Sequence, residues 1–333
     1  MLKKIVLLVL CCTMLSACNN VKAKENSKET SSKVIKSQEQ MRIDKENVYV
    51  DLNNFITGRY FTDIIDRYFI MFGTEEFVKS KGAPFVNPVV QHELDLVDKA
   101  LKCSKKEPRI EELDSAVQDL APKMKKLINV MNEAHTYYNQ KDYVDDNYEK
   151  GAQYHNQIVD IYFNEFVPSL QVFLEGIEQM GEKKRKEDMK NMKDQDLMIR
   201  YYMLDILCKA QDVQNEIYNQ GIDSSNILKL NIVPVKEKYK LLIESIGKLK
   251  EYGKDNTRLE KERLVAAQIE QYLQSSGAVK ASITEIIQRV EKKEPVDAFD
   301  IQHGYLKTGS GTPEKLDSQL GSLIDYYNRT ITR

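Results

Sequence analysis

The chain has 333 residues and carries 49 lysines and arginines against 51 aspartates and glutamates. That balance offers no clustered basic excess to hold phosphates, which argues against nucleic acid as a partner. Nearly 300 residues lie beyond residue 41, enough for one large helical domain or two smaller ones with a real core and no need of disulfide staples.

The opening MLKKIVLLVLCCTMLSAC places Lys3 and Lys4 before an apolar run from Ile5 to Leu15. The run is too short to span a bilayer and has the layout of a signal peptide over 1–17. Leu15, Ser16, Ala17 and Cys18 resemble the bacterial lipobox, which implies cleavage before Cys18 and its acylation, with palmitate among the added chains. Two or three acyl chains hold a protein on the membrane surface without spanning it. Asn19 follows Cys18, so an outer-membrane destination is allowed in a Gram-negative cell; in a Gram-positive cell the anchor sits on the outer face of the plasma membrane. Residues 18–40 read as the lipidated cysteine and a polar tether, whose reach as a coil is roughly 25 Å.

Of the five cysteines, Cys11 and Cys12 leave with the signal and Cys18 takes lipid. Cys103 and Cys208 remain, and they either pair in an oxidising compartment or stay as two separate buried thiols.

From residue 41 to 333 the apolar spacing of three and four, with only 8 prolines and 14 glycines, predicts an all-α domain. The expected architecture is a multi-helix bundle built from long antiparallel helical hairpins. The first helix covers about 44–72, its buried face carrying Leu52, Ile56, Tyr60, Ile64 and Tyr68. A loop at SKGAPFVNP precedes helices over 88–104 and 110–139. The next runs over 144–180 with a kink at Pro168, followed by one over 182–219 that NQGIDSSN ends. Further helices are expected over 233–252, 258–275, 278–293 and 313–331, the last with Thr312 as N-cap and Pro313 as its first residue.

The densest chemistry lies in YYNQKDYVDDNYEKGAQYH, residues 137–155, with five tyrosines, four acids and a histidine. About four polar residues join the helices on either side, which predicts an antiparallel corner. Asp142, Asp145, Asp146 and Glu149 then fall in the first turn of the second helix, where unpaired N–H groups favour carboxylates. Asp146 and Glu149 have capping-box spacing. Gly151 allows close approach, and Tyr138 and Tyr143 offer ring area for burial.

The competing reading makes the corner, with His155, a small-ligand or cation site. His135 and His155 lie about 12 Å apart along the hairpin at the helical rise, too far to share one ion. Neither has an acid three residues before it, HExxH is absent, and the acidic loop lacks the EF-hand pattern. TGSGT at 308–312 has no following Gly-Lys-Ser/Thr, Asp300 with His303 reads as a loop hydrogen bond, and no nucleophile elbow occurs. The reading is therefore of no enzyme, no cofactor and no metal.

Three stretches resemble the YiiG-like bacterial lipoproteins, a family built on a domain of unknown function. VYVDLNNFITGRYFTDIIDRYF at 48–69 is similar to the family's opening helix, and LGSLIDYYNRTI at 320–331 to its closing one. Residues 137–155 resemble its central block, with Tyr137, Tyr138, Lys141, Asp142, Tyr143, Asp145, Asp146, Gly151 and His155 on the block's positions. Val144 and Tyr154 depart from it, and the closing helix lacks a Tyr-Asn pair before Ser322. The resemblance implies a helical, lipid-anchored envelope protein and supplies no substrate or mechanism.

The expected function is a cell-envelope lipoprotein with a helical binding or scaffolding domain, its partners the membrane through the anchor and an envelope protein or small ligand. The alternative is a ligand- or cation-binding protein acting at the 137–155 corner, with hydrolytic activity toward an envelope polymer.

Overall fold

The computed structural model describes residues 29–331. The signal segment, Cys18 and the first part of the expected tether lie outside the described residues. The fold is all-α. Among the described residues twelve α-helices follow in order: α1 Glu29–Thr57, α2 Arg59–Phe72, α3 Gln91–Cys103, α4 Glu111–Gln140, α5 Glu149–Asp160, α6 Val167–Asp194, α7 Met198–Asn219, α8 Ile232–Tyr252, α9 Asn256–Glu262, α10 Ala266–Lys292, α11 Ala298–His303 and α12 Pro313–Ile331. Among the described residues no helix is long and apolar enough to cross a membrane.

The chain divides into two compact units, with the boundary between Glu182 and Lys183 inside α6. In the first, α1 packs on α2 and α3, α3 on α4, and α4 on α5 and the π-helical turn that follows it. Its core joins Tyr49, Leu52, Phe61, Met124, Ile128, Phe166 and Phe173, each buried side chain of this size contributing about 1.5–3 kcal/mol. In the second, α7 packs on α8 and α12, and α10 on α12 and α8. Met203, Leu207, Leu242, Tyr272, Ile283 and Leu323 are buried there.

Several boundaries differ from the periodic reading. The tether was expected to run to residue 40, but helix already begins at Glu29; Lys, Glu and Gln favour helix wherever nothing competes. The expected helix 44–72 breaks at Gly58, whose backbone is extended at φ −69° and ψ 153°. The break shifts the register, so Tyr60 is 45 % exposed and Phe61 takes the core position expected of it. The segment expected as one helix over 182–219 is interrupted between Asp194 and Met198, with Asp196 in a left-handed conformation. Farther on, the interruption expected near 276 is absent, and Gly277 lies inside α10; the chain turns instead at Arg263, also left-handed.

Pro168 has no N–H, and its ring clashes with the carbonyl four residues back. The chain accommodates it through a π-helical turn at Ile161–Phe166 immediately upstream, rather than a simple kink.

Cys103 and Cys208 each stand as a free thiol, the first in one unit and the second in the other. Burial pushes the Cys208 thiol up to about 11.

Candidate functional site

The corner forms, but with a different division of labour among its acids. α4 ends at Gln140, Lys141 turns left-handed, Asp142–Val144 form a short 3-10 turn, and α5 starts only at Glu149. The connection is longer than the four residues expected because Asn147 and Tyr148 are also left-handed. Asp142 and Asp145 therefore stand before the helix and are exposed, and Glu149 alone lies in its first turn.

Asp146 does the capping. Its Oδ1 accepts from the Tyr137 hydroxyl at 2.6 Å and from the Tyr148 N–H at 3.0 Å. Its Oδ2 accepts from the Lys150 N–H at 3.0 Å. Burial alone would raise this carboxyl; the bonds from Tyr137 and from the N–H groups of Lys150 and Tyr148 hold it below the ordinary 3.8. Glu149 does not complete the capping box: the Asp146 N–H that it would accept from bonds the Asp142 carbonyl at 3.3 Å.

Behind the cap lies a closed stack of rings. Tyr138 packs on Phe72 at 4.8 Å between centroids, Tyr143 on Tyr148 at 4.9 Å, and Phe77 on His155 at 5.6 Å. These are the separations of rings in direct contact. Gly151 sits under Tyr138: a Cβ there would come within 2.6 Å of the Tyr138 hydroxyl. Lys79 closes the outer side, donating to Asn147 Oδ1 at 2.9 Å with its ammonium 5.4 Å from the Tyr148 ring centre.

His155 is fully buried, with Nδ1 3.2 Å from the Tyr68 hydroxyl. Burial lowers its pKa, the backbone of Glu75 acting in the opposite sense, so the ring is neutral at pH 7. Its Nε2 and the Tyr138 hydroxyl are buried without a hydrogen bond that meets normal geometry. His135 is elsewhere, its Nδ1 2.5 Å from the Val86 carbonyl. The structure thus brings Tyr138, Tyr143, Asp146, Gly151 and His155 together and leaves Asp142 and Asp145 outside. Among the described residues no group of three or more His, Cys, Asp or Glu is arranged to hold a metal ion.

Four carboxylates that the sequence did not single out are also engaged. Fully buried Asp114 accepts from Lys45 Nζ at 2.8 Å, from Tyr49 at 2.5 Å and from the Ile110 N–H at 3.0 Å. Lys45 donates as well to the carbonyls of Lys106 and Pro108, so this ion pair is fully hydrogen-bonded. Glu262 caps α7, accepting from the N–H groups of Ile199 at 2.9 Å and Arg200 at 2.8 Å. Asp205 accepts from Ser245 at 2.5 Å. Asp317 accepts from Gln214 and Tyr218, each at 2.6 Å, and burial pushes its carboxyl up to about 6 against those bonds. One signal was legible: Lys45 stands four residues before Tyr49 on the same apolar face.

Ser169 Oγ lies 2.6 Å from Lys123 Nζ, which has the look of a serine–lysine nucleophile. Lys123 also bonds both oxygens of Asp119 at 2.8 Å, and Ser169 donates to that carboxylate at 2.6 Å. The geometry is that of an ion pair bridged by a hydroxyl, with Lys123 and Ser169 both directed at the Asp119 carboxylate. At the Gly58 break a groove of about 620 Å³ is lined by Asp51, Tyr60, His92, Glu93, Asp95 and Lys99 among others, a mixture of charge that favours no single ligand class.

Fold and site together define a helical module whose buried polar groups serve pairing and capping. Residues 40–329 match the family described as "Protein of unknown function (DUF3829)", and the chain belongs to that family. It is also similar to the "Uncharacterized protein YiiG" of Escherichia coli (strain K12), 24 % identical over 123 residues. That alignment covers 37 % of this chain and 35 % of the relative, so the chain spans about a third of the length of the curated relative it matches. No solved structure matches the chain.

Proposed function

We propose that this protein is a lipid-anchored, non-enzymatic binding module of the bacterial cell envelope. The observation that carries the reading is the employment of its buried carboxylates. Asp114 is held by Lys45 and Tyr49, Glu262 by two helix N–H groups, Asp317 by Gln214 and Tyr218. A general acid or base must be within reach of a substrate proton, and these groups are committed to the fold. The Leu15, Ser16, Ala17, Cys18 sequence supports the anchor, at the outer membrane of a Gram-negative cell or the outer face of a Gram-positive plasma membrane.

The test is metabolic labelling of cells with an alkyne-bearing palmitate. The expected result is label on the wild-type chain, none on Cys18→Ala, and an envelope protein crosslinked to the anchored chain. An unlabelled wild-type chain that partitions away from membranes overturns the anchor.

A second reading has one observation in its favour. The Tyr138 hydroxyl is buried at the corner without a hydrogen-bond partner, and a small polar ligand would satisfy it. A native mass spectrum before and after chelation tests it: an extra mass lost with Tyr138→Phe or with the chelator supports a site at the corner, and a bare mass leaves the corner as structure.

A further inference from the structure

We propose that the loop from Pro295 to Ser310, which carries α11, docks an arginine-bearing segment of a protein partner on the exposed rings of Phe299 and Tyr305. This rests on the reading of the chain as a binding module and names the chemistry of its partner.

The loop is pinned although little of it is buried. Arg289, near the end of α10, closes it: Nη1 donates to the carbonyls of Glu294 at 3.2 Å and Pro295 at 2.7 Å, and Nη2 to the Ser310 carbonyl at 2.6 Å. Thr312 holds the returning limb, donating to the carbonyls of Leu306 at 2.6 Å and Gly309 at 2.9 Å. Asp297 caps α11 by accepting from the Phe299 N–H at 2.7 Å. A surface loop with its ends tied together is an Ω-loop, a form that frequently carries function. No residue of α11 or of the 3-10 turn Tyr305–Lys307 is buried, so this loop adds nothing to a core.

What it displays is a set of aromatic rings. Phe299 is 57 % exposed and Tyr305 55 %. His303 stacks on Phe299 at 4.0 Å between centroids and donates from Nδ1 to the Phe299 carbonyl at 2.9 Å, which fixes the pair. Tyr305 stands beside them, 6.1 Å from Phe299 and 6.2 Å from His303, and all three planes lie within 34° of one another. Exposed apolar residues scattered singly are ordinary; rings locked together on a pinned loop form one surface.

Charge chooses the occupant. From Glu294 to Ser310 the loop has Glu294, Asp297 and Asp300 against Lys307. Among the described residues none of the three carboxylates is in an ion pair, while Lys307 acts on Asp317 of α12. Lys292 and Lys293 stand outside the Arg289 clamp, at the end of α10. An aromatic face is the negative side of the ring quadrupole, so rings and carboxylates select the same ligand, a cation. Arginine suits both, because its planar guanidinium stacks on a ring and pairs with a carboxylate through two N–H groups. The same excess of acids opposes an anionic lipid surface.

The experiment is a calorimetric titration of the full chain bearing Cys18→Ser with a peptide of alternating arginine and serine. Saturable binding is expected, and the same peptide with citrulline for arginine binds at least about tenfold more weakly. Phe299→Leu with Tyr305→Leu keeps apolar side chains but removes the rings, and weakens binding about tenfold without lowering Tm. Asp300→Asn weakens it about threefold, an effect that salt reduces. Three results overturn the proposal: binding indifferent to loss of the two rings, which would make it a general attraction to acids; the citrulline peptide binding as well as the arginine one; or displacement of the peptide by vesicles of phosphatidylglycerol. A chain that takes up no arginine peptide but still captures an envelope partner refutes this docking surface alone and leaves the binding module standing.

Discussion

The Tyr137 hydroxyl donates to Asp146 Oδ1 at 2.6 Å, joining the last turn of α4 to the turn that starts α5. The same carboxylate receives two backbone N–H groups, so one side chain both caps a helix and ties a hairpin. Because its folded pKa lies below the ordinary 3.8, its contribution is present above that value and is lost as pH falls through the folded pKa. Asp146→Asn should lower Tm by roughly 2–4 °C at pH 7. Thermal melts from pH 7 downward should show the two proteins converging in acid; a constant gap would mean that the charge is irrelevant.

Gly151 tests the packing behind that cap. A Cβ would press on the Tyr138 hydroxyl at 2.6 Å, the end of a ring already stacked on Phe72. Gly151→Ala should cost about 1–3 kcal/mol by overpacking. Tyr138→Phe removes the clashing atom, which has no hydrogen bond to lose, and should recover most of that cost in the double variant. Urea denaturation of the four proteins measures the coupling.

The pair between Lys45 and Asp114 is 4 % and 0 % exposed at its side chains. Lys45→Met leaves the buried carboxylate with Arg109, at 3.2 Å, as its remaining countercharge and should cost somewhat less than the roughly 3–5 kcal/mol of a carboxylate left bare. Replacing both partners, with Asp114→Leu added, should be far less costly than the sum of the single changes. Chemical denaturation of the single and double variants reads this out.

At Asp317 the pH dependence has the opposite sign. Its folded pKa is raised from 3.8 to about 6, chiefly by burial, so its favourable contribution is complete below 3.8 and declines as pH rises to about 6. Asp317→Asn should remove up to about 3 kcal/mol of that decline. The check is the difference in unfolding free energy between wild type and variant from pH 4 to pH 7, which should change across this window and be flat above it.

The free thiols give a direct chemical test. With Cys208 at about 11, its thiolate fraction at pH 7.5 is about a hundredfold below that of an ordinary thiol. Maleimide should label Cys208 slowly in the folded chain, and both Cys103 and Cys208 at once in denaturant without reductant. Failure of both to label in denaturant would establish the disulfide.

How much of this was legible beforehand follows from what a periodic pattern contains. Apolar spacing states which face of a helix is covered, and it located α4, α8 and α12 within a residue or two, together with the Thr312 cap, which accepts from the Lys315 N–H at 3.2 Å. It could not place the break at Gly58, because Tyr60 and Phe61 are both large aromatic residues that suit a buried face. Only the extended glycine decides between them. The turn at Arg263 and the continuity of α10 through Gly277 were hidden for the converse reason: a glycine looks like a break, and an arginine does not look like a left-handed residue.

The sequence by itself determined the helical class, the antiparallel corner and the acids available to cap it, since these depend on interactions spanning a few residues. Tertiary structure alone decided that Asp146 rather than Asp142 or Asp145 is the cap, that Lys45 and Arg109 pair with Asp114, and that Asp317 meets Gln214 and Tyr218. Those outcomes depend on which residues distant in the chain share a surface, and local spacing carries no record of the partner.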